Sequence, residues 1–313
     1  MTEKENVLHA LRHDGKAQWI PNFKDSVIFF TPKASRDKIR EGQDWFGVSW
    51  KDFTPLNKPL FEEVADWKTE LVFPDLDAID WETEARAVLP TLDRENKALW
   101  MSCSQGLFDR LQCFLGAEYG MTAFYDDPEA TAELLEALTD FRIRLMEKLI
   151  DHYDPDIVDY RDDYGTQISL FFSPVIFDEF FFPNLRRIAD YVHSCGKIFV
   201  QHCCGKVDPL IGRFVELGAD TWDSVQPCCD LAAIYAQYGD RLGFSSNMDL
   251  QKFATCSEEE AREVVRYYID TLGSRRNLLL WDVYPLEVAL DPAVLTDEIQ
   301  RYGRVFCKSH PAP

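Results

Sequence analysis

Lys197–Gly205 reads KIFVQHCCG, and this stretch decides the fold. Its first residues are apolar and β-branched or aromatic, as in a buried strand, and its last residues are polar and end in glycine. Helical patterns flank it, beginning at Phe177 (FDEFFFPNLRRIADYVHSCG) and at Asp208 (DPLIGRFVELG). Both patterns end in glycine, as helices often do. A buried strand between two helices indicates a parallel sheet with helical crossovers.

The same strand–helix unit recurs along the chain. Further strand-like runs begin at Trp19, Glu70, Lys97, Asp156, Ala219, Leu242 and Asn277, and the run at Glu70 is the weakest of them. No Gly/Ser linker and no repeat divides the sequence. About eight such units predict one α/β domain over residues 1–313, a single (β/α)8 TIM barrel. The N-terminus adds a helical extension, because Thr2 and Glu5 have the spacing of a capping box.

Composition narrows the class of protein. The chain has 33 basic and 54 acidic residues and a formal charge of −21, so nucleic acid and anionic membrane surfaces are unfavourable partners. No signal peptide and no apolar run long enough to span a membrane is visible, which predicts a cytoplasmic protein. Nine cysteines, an odd number, then indicate reduced thiols or metal ligands rather than disulfides.

The HCCG segment contains the sharpest chemical signal. In an extended segment, residues i and i+2 point to the same side, so His202 and Cys204 can hold one ion while Cys203 points away. Imidazole and thiolate together suit zinc, and Gly205 permits a sharp exit from the strand. The alternative is a buried histidine and cysteine that pack the top of the barrel.

Polar residues also follow the other strand-like runs, where barrel enzymes place their active sites. Asp163 is a candidate general base, metal ligand or orienter of His202, or else an ordinary loop residue that caps a helix. Gln226 and Asn247 can orient a substrate or stabilise their own loops. Trp281 and Tyr164 can form an apolar wall of a substrate pocket, or they can be plain core. The strand ends together carry Cys103, Ser104, Gln105, Asp162, Asp163, Tyr164, His202, Cys203, Cys204, Asp223, Gln226, Ser246, Asn247, Trp281, Asp282 and Tyr284.

These motifs, in this order, resemble the uroporphyrinogen decarboxylase-like superfamily, and specifically its cobalamin-linked methyltransferase branch. The matching segments are DWFGVSW from Asp44, the GLFDRLQ stretch from Gly106, DDYGTQ from Asp162, HCCG, and LGADTWDSVQP from Leu217. The resemblance covers nearly the whole chain. It implies a (β/α)8 barrel, a catalytic zinc on His202 and Cys204, and a partner protein that carries cobalamin.

The third zinc ligand departs from that branch. The branch has a further cysteine near the end of the last barrel strand, but the stretch from Leu278, LLLWDVYPLEVALDP, has none. Asp282, Tyr284, Asp163 or a neighbouring thiol can take its place. Oxygen ligands would make zinc a harder Lewis acid, which suits an ether or phenolate oxygen.

The resemblance therefore predicts a zinc-dependent methyltransferase of the O-demethylase type. It would move a methyl group between a small O- or N-methylated substrate, such as a methoxy-aromatic, and a corrinoid protein. One alternative is a tetrapyrrole decarboxylase, although the first-strand region from Trp19 lacks the arginines that grip a polycarboxylate. The other alternative is a barrel that has lost catalysis and serves as a binding protein.

Overall fold

Ten strands form two sheets in the computed structural model, which describes residues 1–283 and 290–310. The strands are β1 (Val27–Phe30), β2 (Glu41–Gln43), β3 (Ser49–Lys51), β4 (Thr54–Pro55), β5 (Ala98–Cys103), β6 (Ile157–Arg161), β7 (Ile198–His202), β8 (Thr221–Asp223), β9 (Gly243–Ser246) and β10 (Leu278–Leu280).

Fourteen α-helical segments surround the larger sheet in the described residues. They are α1 (Glu3–Leu11), α2 (Phe23–Ser26), α3 (Trp67–Glu70), α4 (Trp81–Val88), α5 (Leu107–Leu115), α6 (Ala117–Asp126), α7 (Pro128–Tyr153), α8 (Pro174–Ile176), α9 (Phe182–Ser194), α10 (Ile211–Leu217), α11 (Leu231–Tyr238), α12 (Leu250–Phe253), α13 (Glu258–Leu272) and α14 (Ala293–Ser309). A π-helical turn (Phe177–Phe181) joins α8 to α9, and short 3-10 turns lie at Val64–Asp66, Leu76–Ala78, Leu89–Thr91 and Asp208–Leu210.

The larger sheet is a curled, parallel sheet of seven strands in the order β1-β5-β6-β7-β8-β9-β10. Each neighbouring pair is parallel, and the register places Arg161 beside His202 and His202 beside Asp223. One isolated parallel bridge, between Asn22 and Leu280, links the segment before β1 to the last strand. The predicted parallel sheet with helical crossovers is thus confirmed. An eighth strand of the predicted barrel is not found in residues 1–283 and 290–310.

The two faces of the strands pack against different layers. Met101 and Phe199 join a large apolar cluster with the surrounding helices, while Trp100 and Val200 belong to a smaller cluster that α1 covers. Helix α1 begins with the capping box of Thr2 and Glu5, and Leu11 at its end accepts a hydrogen bond from Thr221 Oγ1 at 2.8 Å. Because side chains alternate along each strand, the side chains of the last residues of β6, β7 and β8 point to the inner face of the curled sheet, at its carboxyl end.

Residues 70–81 correct one sequence expectation. The run from Glu70 was expected to be a strand, but it contains the 3-10 turn Leu76–Ala78 and the start of α4. Pro74 cannot donate a ladder hydrogen bond, and the Asp75 and Asp80 side chains cap the two turns that follow. The smaller sheet, in which β3 lies between β2 and β4, is antiparallel.

A buried ion network ties the segment around this smaller sheet to the helices and strand ends of the larger sheet. Arg110 pairs with Asp37 at 2.7 Å and with Asp44 at 2.6 Å, and Arg142 also pairs with Asp37. Arg142 also donates to the backbone carbonyl of Gln105, which follows β5.

No helix in the described part of the chain is long and apolar enough to span a membrane.

Candidate active site

A cavity of about 460 Å³ opens where the large sheet's strands end. Its wall includes Lys38, Ser104, Asp109, Arg161, Asp163, His202, Cys204, Gln226, Asn247 and Gln251. Among the described residues of the wall, only Pro227, Met248 and Leu250 are apolar. A polar cavity at the carboxyl ends of parallel strands has the position of an active site in barrel enzymes.

His202 and Cys204 meet on the floor of this cavity. His202 ends β7 on its inner face, and its Nε2 lies 3.4 Å from Sγ of Cys204. Cys203 lies between them and is buried on the other side, where its sulfur accepts a hydrogen bond of 3.2 Å from the Tyr164 backbone amide. The imidazole and one thiol thus face the cavity, while the other thiol lies in the core.

Asp163 is the third donor of this group. Its Oδ1 lies 3.7 Å from Nε2 of His202 and accepts a 2.7 Å hydrogen bond from the backbone amide of Cys204. The candidate ligand atoms of the three residues all lie within 4.8 Å of one another. Zinc bonds of about 2.0–2.3 Å at tetrahedral angles separate two ligands by about 3.5 Å. The distances of 3.4 and 3.7 Å around Nε2 therefore fit a zinc ion.

Asp223 orients the imidazole from inside the sheet. Its buried carboxylate accepts a hydrogen bond of 2.5 Å from Nδ1 of His202, and Ser245 Oγ donates to its other oxygen at 2.6 Å. This contact fixes the proton on Nδ1 and turns Nε2 toward the cavity, the orientation found in carboxylate–histidine–zinc triads. Burial opposes the charge of Asp223, but the His202 hydrogen bond outweighs it and lowers the pKa of the carboxyl.

Two effects oppose each other at His202. Burial and the guanidinium of Arg161 act to lower the pKa of the imidazole, while Cys204 and the Asp223 hydrogen bond raise it. The pKa of His202 lies well above its ordinary value as a result.

Arg161 is a residue of the cavity that the sequence analysis missed. Its Nη1 donates to Asp159 Oδ2 at 2.8 Å, and its Nη2 lies 3.2 Å from Nε2 of His202. A signal was present, because Arg161 lies two residues before Asp163 and so shares its face of an extended strand.

Gln226 and Asn247 both lie in the cavity wall. Gln226 Oε1 accepts hydrogen bonds from the Gly205 amide at 3.1 Å and from Gln167 Nε2 at 3.3 Å. The Gln226 amide group is thereby held across the loop that follows Cys204. Both residues are in a position to contact a molecule in the cavity.

Three other candidate residues lie elsewhere. Tyr164 is buried in the core, where its hydroxyl donates to Asp162 Oδ2 at 2.8 Å. Trp281 stacks on Phe23 with ring centroids 3.8 Å apart. Asp282 accepts hydrogen bonds from Asn22 Nδ2 and from the Lys24 amide, both at 2.8 Å.

The structure therefore does not bring Tyr164 or Trp281 into the described cavity wall, nor Asp282 to the His202–Cys204 pair. In each case the polar group or ring already has a partner in the protein. Tyr284, another candidate third ligand, lies outside the described residues.

Asp162 has a structural role beside this site. Its carboxylate accepts hydrogen bonds from the backbone amides of Phe108 at 3.0 Å and Asp109 at 2.9 Å, in the first turn of α5. Burial raises the pKa of Asp162 to about 6, although these amides and the Tyr164 hydroxyl act to lower it. The carboxylate thus fixes α5 against the end of β6.

Three residues in the cavity wall have a left-handed backbone. Gln105, Ser224 and Met248 follow β5, β8 and β9, with φ values of 61°, 68° and 58°. Such conformations cost free energy for residues other than glycine and cluster at functional sites. At Ser224 the conformation brings Oγ within 3.2 Å of Cys204 Sγ. No sequence pattern signals it.

Comparisons with known proteins agree with this architecture. The family model described as uroporphyrinogen decarboxylase (URO-D) matches residues 113–279, more than half of the chain. A methyltransferase from Methanosarcina mazei has a similar structure, with a TM-score of 0.68, 11% identity, and coverage of 96% of this chain and 99% of that one. An endo-β-1,4-xylanase from Gloeophyllum trabeum matches with a TM-score of only 0.41 and 9% identity, over 67% of this chain and 70% of the xylanase. No protein of curated function matches the sequence.

Proposed function

The chain belongs to the uroporphyrinogen decarboxylase family, and we propose that within this family it is a zinc-dependent methyltransferase. It would move a methyl group between a small O- or N-methylated compound and a partner protein that carries a corrinoid. The observation that carries this proposal is the convergence of His202 Nε2, Cys204 Sγ and Asp163 Oδ1 in one cavity, within 4.8 Å of one another.

Zinc bound to these three residues would act as a Lewis acid toward the heteroatom that bears the methyl group. The protein's own residues have separate tasks. Asp223 holds the imidazole of His202 in the tautomer that a metal requires. Gln226 and Asn247 would orient the substrate through their amide groups.

The wall of the cavity bears on the size and polarity of the substrate. Its volume of about 460 Å³ suits a small molecule, and most of the described wall residues are polar. Of the two residues that were expected to form an apolar wall, Trp281 stacks on Phe23 and Tyr164 is buried in the core. A small polar methylated compound therefore fits the cavity better than an extended aromatic one.

The negative charge of this protein bears on the surface of its proposed corrinoid partner. A net charge of −21 favours a corrinoid protein whose docking surface is basic. The nine cysteines are all free, which suits a reducing compartment such as the cytoplasm.

The alternative function, decarboxylation of a tetrapyrrole, has less support from the residues of the cavity wall. A porphyrinogen carries many carboxylates, whereas Lys38 and Arg161 are the only lysine and arginine among the described wall residues. Arg161 already neutralises Asp159 at 2.8 Å. Turnover of added uroporphyrinogen that chelators leave unchanged would favour the decarboxylase and contradict our proposal.

The test combines metal analysis with methyl transfer. We expect about one zinc per chain in the purified protein, and methyl transfer to reduced cobalamin from at least one member of a panel of methanol, guaiacol and methylamines. His202→Ala should lose both properties. A protein without zinc, in which His202→Ala transfers methyl groups as well as the wild type does, would refute the proposal.

A further inference from the structure

Arg161 places a positive charge at the candidate zinc site. Its Nη2 lies 3.2 Å from Nε2 of His202, while Cys204 Sγ and Asp163 Oδ1 lie 3.4 and 3.7 Å from the same atom. The guanidinium therefore lies as close to Nε2 as the two other candidate ligand atoms do. A metal on Nε2 and a hydrogen bond from Nη2 to Nε2 exclude each other, so a metal frees Nη2 for another acceptor.

The rest of the guanidinium is held in place. Nη1 donates to Asp159 at 2.8 Å and lies 3.8 Å from Asp223 Oδ2. The ring of Phe29 lies 5.8 Å from the guanidinium carbon. A guanidinium does not lose its proton in proteins, so the side chain keeps its charge. Nη2 is therefore a fixed, charged donor that faces the cavity.

We propose that Arg161 binds the heteroatom that loses the methyl group, and that the methyl donor is consequently an O-methyl compound whose leaving group becomes an anion. This inference rests on the proposed methyltransferase function. In the step, the bond between the methyl carbon and oxygen breaks, and its electron pair stays on oxygen. The reduced corrinoid of the partner supplies the pair for the new bond to carbon, and no proton is needed. The guanidinium stabilises the negative charge as it develops on oxygen.

A methylated ammonium donor fits the same site poorly. It is positively charged and leaves as a neutral amine, so Arg161 would repel the substrate and gain nothing as the bond breaks. Ammonium sites use aromatic rings, and the described wall residues include no phenylalanine, tyrosine or tryptophan.

Acidic wall residues do not reverse this preference. Oδ1 of Asp163 accepts a 2.7 Å hydrogen bond from the Cys204 amide, and the carboxylate would also be a metal ligand. Burial and the neighbouring carboxylates of Asp162 and Asp163 raise the pKa of Asp109 well above its ordinary value, so its carboxyl holds a proton more readily. Asp249 caps the helix α12 by accepting from the Lys252 amide at 3.0 Å.

The test compares Arg161→Met and Arg161→Lys with two classes of donor. Methyl transfer to reduced cobalamin is measured with methanol and guaiacol as O-methyl donors and with methylammonium and tetramethylammonium as N-methyl donors. We expect wild-type protein to use an O-methyl donor and to use the ammonium donors far more slowly. Arg161→Met should lower the O-methyl rate about hundredfold, as the loss of one oxyanion donor does in other enzymes. The ammonium rate should stay level or rise.

Metal affinity gives a readout that does not depend on turnover. Because Arg161→Met removes a positive charge beside Nε2, we expect it to bind Zn²⁺ about tenfold more tightly in a competition titration. Arg161→Lys keeps the charge and should leave Zn²⁺ affinity near the wild-type value. Arg213→Met is the matched control, because Arg213 pairs with Asp178 on the surface.

Folding is controlled with a double variant. Arg161→Met leaves Asp159 buried without its partner, so Arg161→Met with Asp159→Asn is measured beside it. Suppose that wild-type protein binds zinc and transfers methyl groups. This inference is then wrong if folded Arg161 variants match the wild type with O-methyl donors, or if the wild type prefers ammonium donors. If wild-type protein neither binds zinc nor transfers methyl groups from any donor, the proposed function itself fails.

Discussion

Asp223 accepts a hydrogen bond of 2.5 Å from Nδ1 of His202, and both side chains are buried. Asp223→Asn should lower Zn²⁺ affinity about 10- to 100-fold, because an amide supports the Nδ1–H tautomer less strongly than a carboxylate does. Competition titration with a chromogenic chelator measures this. Asp220→Asn is the matched control, since Asp220 forms a similar 2.8 Å contact with His193 on the surface. Equal affinities in the two variants would rule out the orienting role.

The adjacent thiols Cys203 and Cys204 should behave differently. Cys204 faces His202 at 3.4 Å, while Cys203 is buried against the Tyr164 amide. In Co²⁺-substituted protein, Cys204→Ser should abolish the thiolate-to-metal charge-transfer band and lower metal affinity more than about hundredfold. Cys203→Ser should keep the band and lose only about 1 kcal/mol of stability. A band that persists in Cys204→Ser would show that another thiol binds the metal.

Asp163 and Asp282 were both candidates for the third ligand, and substitution separates them. Asp163→Asn should weaken Zn²⁺ binding with little change in Tm, because its side chain is 41% exposed. Asp282→Asn should leave Zn²⁺ binding intact but cost about 1–3 kcal/mol of stability, because Asp282 accepts hydrogen bonds from Asn22, the Lys24 amide and Thr296. The opposite pattern would make Asp282 the ligand.

Glu298 gives a pH-dependent prediction far from the cavity. Burial acts to raise its pKa, but Arg266, Arg301 and Arg262 lower it below the ordinary value of 4.5. The stability that Glu298 provides is therefore complete above pH 4.5 and is lost as the pH falls through the lowered pKa. Glu298→Gln should cost about 2 kcal/mol at pH 7, and chemical denaturation should show this difference shrinking below pH 4.5. A difference that is constant with pH would contradict the assignment.

The sequence predicts α1, β1 and the later strands well, and it predicts the stretch between β1 and β5 poorly. From Lys97 onward, apolar runs end in polar turns, and β5 to β10 lie where those runs predict them. In the first third, capping aspartates and Pro74 replace the strand expected from Glu70 with short helical turns. The antiparallel β2–β4 sheet has strands of only two or three residues, which is too short for periodicity to show.

The candidate site shows a similar division. His202 and Cys204 belong to one extended segment, so alternation suffices to bring them together, while Asp163 joins them because β6 and β7 are neighbours in the sheet. Asp223 stood among the polar strand ends, but its contact with His202 depends on the register between β7 and β8. The positions of Trp281 and Asp282 depend on how the N-terminal segment packs against the last strand, which no local pattern shows.

The contacts of Asp282 also have a consequence for the order of folding. Asn22 and the Lys24 amide bond to a residue 260 and 258 positions further along the chain. During synthesis, the segment before β1 cannot make these contacts until residue 282 has left the ribosome. Contacts of such long sequence separation slow folding, so the isolated bridge between Asn22 and Leu280 also forms late. Docking of the segment before β1 onto the end of β10 is therefore a late event in biogenesis, and partly folded chains that still lack it are prone to aggregate.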